Sequence, residues 1–252
     1  MVAASESGGR NAARRREWWI EPIDGGICLM TRQGPFSVYR RDSALTGCGW
    51  DAQAASTLFV ASQINDILLL GMGGGTVARL CRKLHPGARI VAVEADARII
   101  SLARRRFGVD RLNLEIVHAR AEDYAGAAQK CFDAIVDDAW PFVQANARAA
   151  IQDDTWQALL AGRLREGGAL AINLLSAHQS PASRRRALEQ MRLRFRHIRE
   201  IGFADRVTTV LVGGNQLLDA RSTRDRLRNS CGAEAVRGMR LRSLRSSSAE
   251  GA

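Results

Sequence analysis

Three groups of residues in this chain have types and spacing suited to chemistry. Leu68-Leu69-Leu70-Gly71-Met72-Gly73-Gly74-Gly75-Thr76 reads as an apolar strand, a glycine turn and the start of a helix. Glycine reaches backbone angles closed to other residues and lets a ligand approach the main chain, and a helix start presents unpaired N–H groups. Glu94 ends the next apolar run, Arg89–Val93, about 20 residues after the turn, where an acid accepts hydrogen bonds from ribose hydroxyls. Glu94 could instead cap the helix that follows, but Asp96 stands closer to that task. Together these residues predict a nucleoside site. Phe132–Val136 ends in Asp137 and Asp138 at what would be the carboxyl edge of a sheet, where ligands bind in open α/β folds. Asp137 is the expected polar group near the reaction centre, with Asp138 capping or facing solvent.

The elements that must position these groups are legible in the hydropathy pattern. Trp18–Tyr39 shows short β-like runs broken by Asp24-Gly25-Gly26 and Gln33-Gly34-Pro35, the signature of hairpins. From Asp66 onward apolar strands alternate with helical stretches, which argues for a largely parallel sheet covered on both faces. Ile198–Phe203 and Val207–Val212 are joined too closely for a crossover helix, so that pair must be antiparallel. The expected fold is α/β: a Rossmann-like doubly wound sheet with a terminal antiparallel hairpin, plus a small N-terminal β-hairpin lobe. The expected divisions are a disordered start at 1–13, the β lobe at 14–50, the Rossmann-like domain at 51–218 and a basic C-terminal tail at 219–252.

Composition bounds the rest. The chain has 252 residues, 46% hydrophobic and 25% charged, enough apolar content to bury a core. Net charge is +11, and all but Lys83 and Lys130 of the 37 basic residues are arginines. Seven arginines against Glu189 fall in 184–199, but Leu188, Met191, Phe195 and Ile198 recur there at helical spacing. The arginines then form the wet face of an amphipathic helix rather than a nucleic-acid patch. Five cysteines without CxxC spacing point away from a disulfide scaffold or structural zinc and toward a reducing cytoplasm. No apolar run approaches the roughly 18–20 residues a membrane span needs. Trp18-Trp19 fits a packed hairpin or a homodimer contact.

The doubly wound sheet with its terminal hairpin resembles the AdoMet-dependent methyltransferase fold. Ile23-Asp24-Gly25-Gly26, Phe36–Tyr39, the glycine turn, Val93-Glu94-Ala95-Asp96 and the Asp-ended strand resemble the spermidine synthase family and its spermidine synthase-like relatives. The resemblance runs from Ile23 to Asn173. It implies S-adenosylmethionine or its decarboxylated form as cofactor, with no metal. Cofactor contacts are implied at Gly71, Gly73, Gly74, Gly75, Glu94, Ala95, Arg120, Ala121 and Asp137, and catalytic roles at Asp137, Asp138 and Tyr39.

Departures from the family pattern gather at the substrate. Cys28 stands where the family has glutamine, Gly74 where an aspartate holds the aminopropyl amine, and Arg120 at the adenine-loop aspartate. Arg40 and Arg41 follow Tyr39 where the family has a glutamate, and Trp140 stands at the aspartate that activates the attacking amine. A polyamine needs carboxylates to bind it and take its proton. The expected function is therefore alkyl transfer, methyl ahead of aminopropyl, to an unidentified small acceptor. Spermidine synthesis proper and a non-catalytic nucleoside- or RNA-binding role are the alternatives.

Overall fold

The computed structural model describes residues 18–139, 154–175, 180–204 and 208–244. The N-terminal lobe is a three-stranded sheet, β1 (Trp18–Ile23), β2 (Gly26–Thr31) and β3 (Gly34–Arg40), in that spatial order and antiparallel throughout. Gly25, at φ 69°, makes the first turn. A short helix, α1 (Gly49–Ala55), leads into the main domain.

The central sheet has eight strands: β4 (Asp66–Leu70), β5 (Arg89–Glu94), β6 (Leu114–His118), β7 (Phe132–Asp137), β8 (Leu164–Leu175), β9 (His197–Gly202), β10 (Thr208–Gly214) and β11 (Arg240–Leu244). Their order is β11-β9-β10-β8-β7-β4-β5-β6. Strands β4 to β8 pair in parallel, whereas β10 runs antiparallel to both β8 and β9. The expected doubly wound sheet, terminal hairpin and separate β lobe are all present. The helices are α2 (Thr76–Leu84), α3 (Ala97–Arg106), α4 (Ala121–Ala127), α5 (Asp154–Ala161), α6 (Pro181–Arg192) and α7 (Ala220–Cys231).

Side chains alternate across a strand, and here the alternation sorts the core into two layers. Ile67, Leu69, Ile90, Ala92, Ala134, Val136, Ala169 and Ala171 face the layer holding α1, α2 and Leu29 of the lobe. Leu68, Leu70, Val91, Val93, Ile135, Leu170 and Ile172 face the layer holding α4, α5 and α6. By the same parity Glu94, Asp138 and Asn173 belong to the lobe-side face, and Asp137 to the opposite one.

Residues 219–252 were expected as a tail, yet α7 packs Leu227, fully buried, into the lobe-side core. Strand β11 then pairs with β9 and forms the sheet edge. Thr223 and Leu227, both buried, are four residues apart on one side of α7. So narrow an apolar stripe among arginines is hard to see in composition. Strand β8 also starts earlier than the apolar run from Ala169 indicates, because Leu164 pairs with Phe132 before the register shift at Ala134. Helix α5 is described from Asp154 to Ala161 and buries Trp156, Gln157 and Leu160. On α6 Ala187 and Met191 are buried, while Arg184 pairs with Glu200, Arg194 with Asp154, and Arg199 donates to the Leu218 carbonyl. Among the described residues no helix is long and apolar enough to cross a membrane.

His85 closes α2 and its Nε2 lies 2.8 Å from Thr57 Oγ1. The single hydroxyl hydrogen of Thr57 goes to the Ala54 carbonyl, so Nε2 must donate. Burial, with Arg226 nearby, lowers the His85 pKa from 6.5 to about 4. Between those values the unfolded chain takes up a proton that the folded one refuses. Stability should therefore fall as pH drops through this window, by up to roughly 1.4 kcal/mol per pH unit. Urea melts at pH 7 and pH 5 should show that loss in the wild type and a smaller one in His85→Gln.

Candidate active site

The glycine turn after β4 is a closed hydrogen-bonded unit. Gly71 and Met72 both donate to the Val93 carbonyl at 3.0 Å, and Gly75 donates to the Met72 carbonyl at 2.9 Å. Gly73 donates to Glu94 Oε2 at 2.9 Å, and Gly74 donates to Ser37 Oγ at 2.7 Å. Gly71, Gly73 and Gly75 sit at φ 88°, 53° and 81°, angles that favour glycine. Thus every main-chain N–H from Gly71 to Gly75 has a protein partner.

Glu94 is 6% exposed and accepts from the Asp96 main chain through its other oxygen at 3.0 Å. Burial raises its pKa, and the backbone N–H groups of Asp96, Gly73 and Ala95 oppose that rise. The capping role falls to Asp96, whose Oδ1 accepts from Arg98 N at 2.8 Å. A carboxylate accepts about four hydrogen bonds. Glu94 therefore keeps acceptor capacity for ribose hydroxyls at the carboxyl end of β5, and its surroundings fit a nucleoside there.

The lobe docks directly on this turn. The Thr76 hydroxyl and the Val38 main chain bond reciprocally: Val38 N donates to Oγ1 at 2.8 Å, and Oγ1 donates to the Val38 carbonyl at 3.0 Å. A Cβ built on Gly73 would lie 2.7 Å from Ser37 Oγ. One built on Gly74 would lie 2.8 Å from both Ser37 Cβ and Phe107 Cδ1. The turn therefore has no room for a side chain, and an aspartate at Gly74 would require Ser37 and Phe107 to move. Tyr39 is wedged rather than open. The Arg79 guanidinium lies 4.5 Å from its ring centroid and Phe107 6.5 Å away, while Arg79 also donates to the Phe107 carbonyl.

The two strand-end acids separate, as alternation requires. Asp137 is fully buried and its Oδ2 accepts from the Trp156 indole at 2.9 Å, on the α5 side. Asp138 is half-buried, and its Oδ1 accepts from Asn173 Nδ2 at 2.6 Å. Asp137 thus lies on the α5 side of the sheet, and Asp138 on the face shared with Glu94. The Asn173 carboxamide oxygen is buried without a partner. Asn173 and Ser37 were not singled out as site residues in the sequence: Ser37 counted only as part of the Phe36–Tyr39 run, and Asn173 only as the end of the resemblance.

Elsewhere the resemblance-derived residues are looser. Ala95 is exposed, and its carbonyl lies 3.1 Å from His118 Nε2. Arg120 precedes α4, is exposed and pairs with Glu122 at 3.6 Å, while Ala121 is buried at the first position of that helix. Cys28 is buried in β2 with Sγ 3.4 Å from Met30 Sδ. Arg40 reaches back to the Asp24 carbonyl. Trp140 lies outside the described residues. Among the described residues no group of three or more His, Cys, Asp or Glu is gathered as metal ligands would be.

Trp156→Phe should cost about 1–3 kcal/mol by removing the indole donor from the buried Asp137 carboxylate. Urea denaturation should show that loss, while nucleoside affinity measured by calorimetry should stay at the wild-type value.

A family profile described as methyltransferase domain matches residues 67–162, the stretch from β4 to the end of α5. The chain is 27% identical over 141 residues to a probable polyamine aminopropyl transferase of Bifidobacterium longum (strain NCC 2705). That match covers 56% of this chain and 31% of the relative, so the chain spans about a third of the length of the curated protein it matches. Among solved structures, a probable spermidine synthase from Corynebacterium glutamicum superposes with a TM-score of 0.71 at 19% identity, covering 90% of this chain and 87% of that one. Human methyltransferase-like protein 13, solved in complex with SAH, superposes with a TM-score of 0.61 at 19% identity, covering 73% and 92%. Over part of its length the chain is thus similar in sequence to an aminopropyl transferase and to the methyltransferase-domain profile, and its α/β fold is shared with the solved spermidine synthase and methyltransferase structures.

Proposed function

We propose that the chain is an AdoMet-dependent transferase that moves an alkyl group, methyl in preference to aminopropyl, to a small acceptor. The methyltransferase-domain match and the spermidine synthase-like relatives support the donor class. The observation that carries the finer reading is steric: Ser37 and Phe107 fill the space that an amine-holding carboxylate on the turn would need. A donor with a bare ammonium tail then meets no acid on the turn, and an unpaired buried ammonium is costly.

When bound, a sulfonium donor supplies a carbon already activated for displacement. The chain then has to hold and align. Glu94 would hold the ribose hydroxyls and Ala121, at the start of α4, would edge the base. Asp138, bonded to Asn173, would take the proton an acceptor loses as its lone pair bonds to carbon and the carbon–sulfur electrons return to sulfur. Tyr39, held by Arg79 and Phe107, would bound the acceptor side. That acceptor is proposed to be a small molecule.

Calorimetric titration with AdoMet, decarboxylated AdoMet and methylthioadenosine is the test. The wild type should bind AdoMet more tightly than its decarboxylated form and should make no useful spermidine from putrescine. Glu94→Ala, if folded, should weaken all three ligands by about 1.5–3 kcal/mol, the range for hydrogen bonds to a charged group. Robust spermidine formation by the wild type would restore aminopropyl transfer as the activity.

A further inference from the structure

Ser37 stands out once the donors of the glycine turn are counted. Gly71, Met72, Gly73, Gly74 and Gly75 all spend their N–H groups on protein acceptors, so none can receive an anionic ligand group without breaking a bond. The Ser37 hydroxyl is itself one of those acceptors, 2.7 Å from Gly74 N, and it is 2% exposed. A serine hydroxyl carries one hydrogen besides its acceptor lone pairs. Among the described residues that hydrogen is donated to no atom. It is held beside the turn on the neighbour of the N–H that grips Glu94.

We infer that Ser37 is the residue that reads the tail of the nucleoside ligand: its hydroxyl accepts from Gly74 and donates to a carboxylate on the ligand's 5′ side. This rests on the nucleoside reading above and assigns it a specificity-determining group on the N-terminal lobe. The geometry also supplies a reason for the lobe to dock here. The Val38–Thr76 pair fixes β3 against the start of α2, so the Ser37 hydroxyl is carried on a rigid strand rather than a loop. The absence of room for a Gly73 or Gly74 side chain follows from the same contact. One strand thereby excludes a carboxylate from the turn and supplies a hydrogen-bond donor in its place, which favours a ligand tail bearing an anion.

The test is ligand-specific affinity. Ser37→Ala removes the donor, and Ser37→Cys keeps a group of similar size against Gly74 while donating only weakly. Each variant is checked for folding by thermal melting and titrated with AdoMet and with methylthioadenosine, which lacks the carboxylate. Both variants should bind AdoMet about tenfold or more weakly, the lower end for a hydrogen bond to a charged group, with methylthioadenosine changed by less than about twofold. A parallel loss for both ligands would show that Ser37 only staples the turn, and unchanged AdoMet affinity would show that it reads nothing; either result overturns the inference. A wild type that binds neither ligand would overturn the nucleoside reading itself, and this inference with it.

Discussion

The hydrogen bond from the Gly73 main chain to the Glu94 carboxylate joins the two parts of the site before any ligand arrives. It ties the turn after β4 to the end of β5, and the second Glu94 oxygen extends the tie to the start of α3 through Asp96. A charged acceptor makes such bonds shorter and stronger than neutral ones. The Val93 carbonyl adds two more N–H partners from the same turn. What results is a preorganised frame in which the Glu94 carboxylate cannot rotate away without unpairing a buried glycine N–H, and an unpaired buried N–H costs about 1–3 kcal/mol.

The lobe completes this frame through Ser37, Val38 and Thr76. Glycine is required at the turn for a further reason beyond backbone angles and ligand approach. Asp138 O presses within 2.4 Å of a Cβ built on Gly71, Ser37 within 2.7 Å of one on Gly73, and Val109 within 2.6 Å of one on Gly75. The glycines are therefore dictated as much by the chain packing on itself as by a ligand approaching the backbone. The N–H groups of the turn are already bound to protein acceptors in the ligand-free chain.

How far the sequence could be read depends on which interactions were local. The alternating strands, the glycine turn and Glu94 are set by periodicity and short-range spacing, and they appear as expected. Asp137 and Asp138 are adjacent, so spacing alone could not say which one shares a face with Glu94; the pleat decides it, and Trp156, 19 positions away, donates to Asp137 on the other face. Ser37 reaches the turn across 37 positions and Asn173 reaches Asp138 across 35. No pattern within one element reports such contacts. The C-terminal region failed for a different reason: Thr223 and Leu227 are enough to seat α7, but too few to lift a segment crowded with arginine above the composition of a tail.

The central claim is that Glu94, Ser37 and the glycine turn are locked together in the ligand-free protein. Residue-resolved hydrogen exchange of the Gly73 and Gly74 amides tests this most directly. If the account is right, both amides exchange in the free protein nearly as slowly as those of β4 and β5 in the buried sheet. Exchange of either amide at the rate of an open loop in the free protein would contradict it, because the frame would then form only around a ligand.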